Sequence, residues 1–432
     1  MRKRLLISGA AAAGAAAALL LGGLLRGGSP GDVRVTADAA AASIQGGFAA
    51  GNTQALVAQL QGELRAHPNA KGFGLLGLAY QQRARETADP SWYPKSEGLL
   101  RKALRLAPRD LTATAGLASL ALSRHRFGEA LLLARRVHAI SPTTAAGYGL
   151  LGDALVELGR YHRAFTAFDE FASLKPSLAS YARVSYAAEL SGDVAGARRA
   201  MLLARDAATG EAEPTAWTDW QLGKLAFGHG NDAEAGRRYS AALTAFPGYV
   251  YALDALAALR AAQGRYAEAI ALDQRAVDKI PLPQFVAQLG DLYSITGRKR
   301  LARDQYATIG VIERLFHANG VQIDLETALF DADHGRASIA LARRAQRERP
   351  SIDGDDVLAW TLARDGRCAE ALPWSKRTLR LGTQDALKFF HRATIESCLG
   401  HRAAARAWAR EALALNRHFS LLWTPVARRL AR

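Results

Sequence analysis

Several short stretches carry residue types that could bind or react. GFGLLG at 72–77 has the G-x-G-x-x-G spacing of a dinucleotide loop. That chemistry needs a strand before the loop and a helix after it, so that backbone N–H groups can reach a pyrophosphate. DADHG offers Asp331, Asp333 and His334 as oxygen and nitrogen donors for a metal ion, and the same residue types serve as solvated turn formers. SIDGDD sets Asp353, Asp355 and Asp356 at a helix start, where carboxylates suit the positive end of the helix dipole and act as caps. Cys368 and Cys398 are the two cysteines, too few for a disulfide framework or a structural zinc site. Trp217, Trp220 and Lys224 are spaced three and four apart and share one helical face. Two indoles and an ammonium could grip a peptide or a sugar, or they could cover a thin core. The chain has no H-E-x-x-H, Walker A loop or Cys-x-x-Cys.

The elements that position these residues repeat. GRYHRAFTAF from Gly159, GRYAEAIALDQRAV from Gly264, GRCAEALPWSKRTLRL from Gly366 and GHRAAARAWAREALALN from Gly400 each open on Gly and place Ala five residues on. Gly230 to Gly264 and Gly366 to Gly400 are both steps of thirty-four residues. A second glycine precedes the first by seven, as Gly152, Gly223 and Gly290 do, and a proline follows it by seventeen, as Pro176, Pro247 and Pro281 do. Such spacing predicts helical hairpins. The earlier glycine lies where two helices cross closely, the later one supplies a turn of positive φ, and proline opens the next unit. Read this way, GFGLLG falls inside a first helix, with Gly77 as its crossing glycine, and a nucleotide site is not expected.

The pattern resembles the tetratricopeptide repeat family over residues 37–432. About eleven units are expected, beginning near Ala37, Ala70, Leu111, Ala145, Leu178, Ala216, Val250, Pro283, Asn319, Ile352 and Ala386. Ile44 and Glu326 stand where the first and ninth units lack the crossing glycine. An insert at 86–97 should bulge at a turn, and residues 415–432 should cap the array. The resemblance implies an all-α, right-handed superhelical solenoid with a concave groove lined by first helices. In the family's register, Trp217, Trp220 and Lys224 line that groove, with Tyr251 and Asp254 at the matching places of the next unit. It implies a binding scaffold for a protein or peptide partner rather than an enzyme, with no cofactor and no metal. Two rivals stay open: a binder of anionic or carbohydrate envelope polymer, and an enzyme hidden in the units around 319–356. Cys368 and Cys398 fall near the same edge of adjacent hairpins, so they either pair or remain two buried thiols.

Residues 1–36 read as a separate export segment and linker. Arg2, Lys3 and Arg4 precede an uncharged run from Leu5 to Leu25 that Arg26 ends. The run spans 21 residues, which meets the about 20 of a spanning helix and favours an uncleaved anchor, although small-residue sites near Ala37 and Ala39 would suit cleavage. Either outcome puts the array outside the cytoplasm of a bacterial cell, with membrane contact through residues 5–25 or with secretion. The net charge of +16, mostly arginine, invites anionic neighbours or reflects genome composition, and without a tight basic run nucleic acid is not the expected partner. Hydrophobic residues at 49% exclude a disordered chain.

Overall fold

The computed structural model describes residues 53–208 and 210–432. The export segment, the linker, Ile44 and the first helix of the unit expected from Ala37 lie outside the described residues. Helix α1 (Thr53–Ala66) is that unit's second helix. Ten hairpins follow: α2 (Ala70–Thr87) with α3 (Trp92–Leu106), α4 (Leu111–Ser123) with α5 (Phe127–Ile140), α6 (Ala145–Glu157) with α7 (Tyr161–Leu174), α8 (Leu178–Leu190) with α9 (Val194–Ala207), and α10 (Ala212–Gly228) with α11 (Asp232–Ala245). The series continues with α12 (Val250–Ala262) and α13 (Tyr266–Lys279), α14 (Pro283–Ile295) and α15 (Lys299–Ala318), α16 (Asp324–Asp333) and α17 (Ile339–Glu348), α18 (Ile352–Arg364) and α19 (Cys368–Thr378), and α20 (Ala386–Cys398) and α21 (Arg402–Leu415). Helix α22 (Thr424–Leu430) closes the chain. No strand occurs among the described residues.

The crossing glycines pack as their spacing requires. A side chain at Gly152 would collide with the Phe168 ring, one at Gly223 with Tyr239, and one at Gly290 with Tyr306. In each pair the second helix sends an aromatic ring into the gap that the first helix leaves, which buries a large apolar area at the crossing. The turn glycines have positive φ, 68° at Gly159 and 80° at Gly366. At such a turn the Arg160 N–H reaches back to the Leu155 carbonyl at 2.8 Å and satisfies a helix-end acceptor. Successive first helices also pack on one another, as α2 does on α4 and α16 on α18, whereas successive second helices do not pack comparably. First helices therefore form the inner wall and second helices the outer one.

The array winds far enough to meet itself. Arg126 Nε donates to the Gly320 carbonyl (3.1 Å), the Ile352 N–H to Tyr161 Oη (2.6 Å), Thr383 Oγ1 to the Leu190 carbonyl, and Asn416 Nδ2 to the Phe227 carbonyl (2.8 Å). These partners are 194, 191, 193 and 189 residues apart in sequence. Each joins the turn edge of one hairpin to the edge where a later hairpin begins or ends, so one coil of the superhelix rests on the next along a seam. Arg349 anchors the seam: it is buried, donates Nε to Glu157, and donates Nη1 to Glu326 at 3.1 Å. Glu326, the residue that broke the glycine pattern, thus faces the seam.

Three boundaries depart from the periodic expectation. Helix α15 runs to Ala318, right up to the expected start at Asn319, because Ile309, Ile312 and Phe316 share a core with Leu60, Phe73 and Leu100 of the first helices. The next first helix accordingly opens at Asp324. Helix α10 starts at Ala212 rather than Ala216. The insert at 86–97 turns inward: Ala88, at φ 51°, is buried with Val250, Leu253 and Phe285 of the later coil. Beyond α21, Leu421 packs with Leu289 and Leu292, while Trp423 packs with Trp360 and Phe390, so the cap closes on first helices.

Candidate functional site

The inner wall carries an aromatic row built from equivalent faces of α10, α12 and α14. Ring centroids are 6.5 Å apart for Trp217–Trp220, 5.1 Å for Trp220–Tyr251 and 5.7 Å for Tyr251–Phe285. Lys224, one turn beyond Trp220, extends over its indole with Nζ 5.0 Å from the ring centroid. Trp217 and Trp220 are 5% and 9% exposed, so their faces are mostly covered by neighbouring helices. Tyr251 and Asp254 are half-buried and Lys224 is exposed. The five residues singled out by spacing therefore lie side by side, with the indoles as floor and Lys224 and Asp254 as reachable polar groups.

Asp254 belongs to a cluster that spacing did not reveal. Gln288 Nε2 donates to Asp254 Oδ1 at 3.0 Å and to Asp273 Oδ1 at 3.1 Å. Burial pushes the Asp254 carboxyl up to about 7, opposed by Lys224, and pushes Asp273 well above the carboxylate range with the Asp254 charge adding to it. Both shifts favour the protonated form, because two bare charges side by side would repel. The one available signal was Asp273 itself: it occupies the apolar stripe of α13 together with Ala269, Ile270 and Ala276. Glu189 of α8 stands on the same wall near Lys224 and His229, and its carboxyl is also raised, chiefly by desolvation.

The other chemical candidates are absorbed by packing. In DADHG, Asp331 pairs with Arg336 at 3.0 Å, and Asp333 accepts from both Trp360 Nε1 and Trp423 Nε1 at 2.8 Å. His334 faces the Phe330 carbonyl through Nδ1 (2.7 Å) and Asp291 through Nε2 (2.9 Å). Both contacts want a donor, and the pKa is raised: burial lowers it, but Asp291 more than offsets this. Both ring nitrogens are engaged by oxygen atoms, so neither is turned toward a metal or a substrate. In SIDGDD the cap is Ser351, whose Oγ accepts from the Gly354 N–H at 3.2 Å. The carboxylates reach sideways instead: Asp353 to Lys388 (3.0 Å), Asp355 to Arg380, and Asp356 to His391 (2.9 Å). GFGLLG lies within α2, where a side chain at Gly77 would meet Leu100. Among the described residues no group of three His, Cys, Asp or Glu could hold a metal ion, and no helix is long and apolar enough to cross a membrane. Cys368 and Cys398 are joined in a disulfide, with Cα atoms 6.1 Å apart.

Charge divides between the two walls. The first helices of the ten hairpins carry sixteen carboxylates against nine Lys and Arg, while the second helices carry fifteen against twenty-six. The second helices of the outer wall are thus net basic, and the first helices of the inner wall are net acidic.

Residues 145–178, the α6/α7 hairpin with its following loop, match the tetratricopeptide repeat family model. No curated protein matches the sequence. Among solved structures, a tetratricopeptide repeat protein from Parabacteroides merdae is similar at 15% identity, over 53% of this chain and 87% of that one, with a TM-score of 0.42. The human IFIT1 dimer with m7Gppp-AAAA is similar at 15% identity, over 76% and 77%, with a TM-score of 0.47. The APC/C hetero-tetramer Cut9–Hcn1 is similar at 13% identity, over 93% and 91%, with a TM-score of 0.39. Repeats of this kind generally act as protein–protein interaction scaffolds rather than as enzymes. One hairpin matches the tetratricopeptide repeat directly, and its crossing glycine and turn recur along the described array, so the chain carries this repeat at 145–178 within a series of hairpins built the same way.

Proposed function

We propose that this protein is a non-enzymatic scaffold on the extracytoplasmic side of a bacterial cell membrane, and that it holds a peptide or protein partner against its inner wall at Trp217, Trp220, Lys224, Tyr251 and Asp254. The observation that carries the reading is the joining of an aromatic row to exposed or half-buried polar groups on one wall, the composition of a protein-binding hot spot. The disulfide supports export, because such bonds persist in oxidising compartments. A photo-crosslinking residue placed at Tyr251 in living cells should trap a partner, and one placed at the outer, exposed Leu132 should not. Adding Lys224→Glu, a surface change that leaves the fold intact, should weaken the Tyr251 adduct. Equal trapping at both positions would end the inner-wall reading. Binding of an anionic or carbohydrate polymer is the second reading, supported by the basic outer wall. It is less favoured at the aromatic row, since a sugar needs an open indole face and both indoles are covered.

A further inference from the structure

We infer that the C-terminal end of the outer wall docks on an anionic lipid surface, a contact separate from the inner wall. From Arg402 to Arg432 the chain has seven arginines and one side-chain carboxylate, Glu411. Arg402, Arg406 and Arg410 are four residues apart and form one exposed stripe along α21, and Arg428 and Arg429 of α22 are exposed beside it. Where these arginines bond within the chain, they meet carbonyls. Arg410 Nε donates to the Ala431 carbonyl and Arg428 Nη2 to the Arg417 carbonyl, both at 3.1 Å, which leaves the positive charge uncompensated. Three arginines at earlier second helices are different: Arg101 meets Glu97, Arg237 meets Glu234, and Arg265 meets Glu268, each pair within 2.7 Å.

Shape and neighbours choose the occupant. The stripe lies on the convex side of a solenoid, so it cannot enclose a polymer strand, but it can lie against a plane. Trp408 offers no open ring for stacking a base or a sugar, since Phe389 and Arg392 sit on it with centroid distances of 5.5 and 5.6 Å. A bilayer with acidic headgroups is the planar partner that spaced, uncompensated arginines attract, each basic residue strengthening partition about five-fold at low salt. The acidic inner wall faces away from such a surface and stays open to its own partner.

The test is co-sedimentation of the full chain with phosphatidylcholine vesicles and with vesicles in which part of that lipid is replaced by phosphatidylglycerol. Residues 5–25 are common to every variant, so the readout is the difference between variants. The unaltered chain should prefer the anionic vesicles, and the preference should fall as salt rises. The triple variant Arg402→Gln, Arg406→Gln, Arg410→Gln should lose about a hundred-fold in that preference. The variant Arg101→Gln, Arg237→Gln, Arg265→Gln has the same net charge and should retain most of it. Equal loss in the two variants would reduce the effect to net charge and overturn the proposal. So would the absence of any preference in the unaltered chain, or tighter binding to a soluble acidic polysaccharide than to vesicles of equal charge.

Discussion

The turn glycines of the earlier hairpins and those of the later hairpins share a backbone shape, with φ of 76° at Gly192 and 80° at Gly366. What stands beyond them differs. A side chain at Gly159 would strike the Pro350 carbonyl, one at Gly192 the Gly382 carbonyl, and one at Gly230 would come within 3.0 Å of the Leu415 carbonyl. At Gly264, Gly297, Gly366 and Gly400 the space is open. The first set serves two needs, a left-handed turn and close approach of another coil, and the second set serves only the turn. The later edge has a covalent tie instead: Cys368 and Cys398 lie two residues from the turn glycines Gly366 and Gly400 and link neighbouring hairpins there. One repeat signature thus covers two situations, an edge seated on protein and an edge held by its own hairpins.

Four measurements would break or sharpen that contrast. The largest effect is expected for Arg349→Ala, which leaves the buried Glu157 and the half-buried Glu326 at the seam without their cation. A loss of about 3–5 kcal/mol in denaturant unfolding is expected, with the later coil unfolding in a separate step. A single transition shifted by less than about 1 kcal/mol would show that the seam is not what couples the coils. Reduction of Cys368–Cys398 should cost about 3 kcal/mol from the loop it closes, seen as earlier hydrogen exchange in α19 and α20 while seam amides stay protected.

Gly192→Ala should cost about 2–4 kcal/mol, adding displacement of the Gly382 carbonyl to the strain of positive φ, and Gly366→Ala about 1 kcal/mol from strain alone. Equal melting shifts for the pair would remove the distinction. The smallest effect concerns His125, the non-glycine residue at φ 56° in the turn of the α4/α5 hairpin. Its Nδ1 faces the Gln322 carbonyl across the seam at 2.8 Å, and Glu326 and Arg349 are its charged neighbours. Burial lowers its pKa below 6.5, so the unfolded chain binds the extra proton first. Stability from this group is present above the ordinary imidazole value and is lost as pH falls below it. His125→Asn, which tolerates the left-handed turn, should flatten the acid side of the melting-temperature profile, and an unchanged profile would place the acid sensitivity elsewhere.

Much of the local architecture was legible because it recurs. Gly152, Gly223 and Gly290 mark helix crossings, and the prolines mark unit ends, since each unit solves the same packing problem with residues a few positions apart. The five inner-wall residues could be grouped for the same reason, as equivalent positions of adjacent units. The seam was not legible. Its partners lie about 190 residues apart and occur once each, with side chains as unlike as Thr383 and Asn416, so no period announces them. Glu326 and the six residues by which α15 exceeds α13 look like decay of the repeat in sequence, yet in the structure they face the other coil. Asp273 was visible as a carboxylate on an apolar stripe, but its partners Asp254 and Gln288 come from two other helices.

The near-constant separation of the four seam contacts, 189 to 194 residues, bears on how such a chain can change its length. An array that never touches itself can gain or lose a module anywhere and merely grow or shrink. Here, deleting a single hairpin between Asp232 and Ala318 would slide every downstream loop past its mate, so that Tyr161, Leu190 and Phe227 would each confront the wrong neighbour. The stretch between the mated edges therefore has a fixed copy number, and duplication or loss of modules is tolerable only beyond the last mated pair.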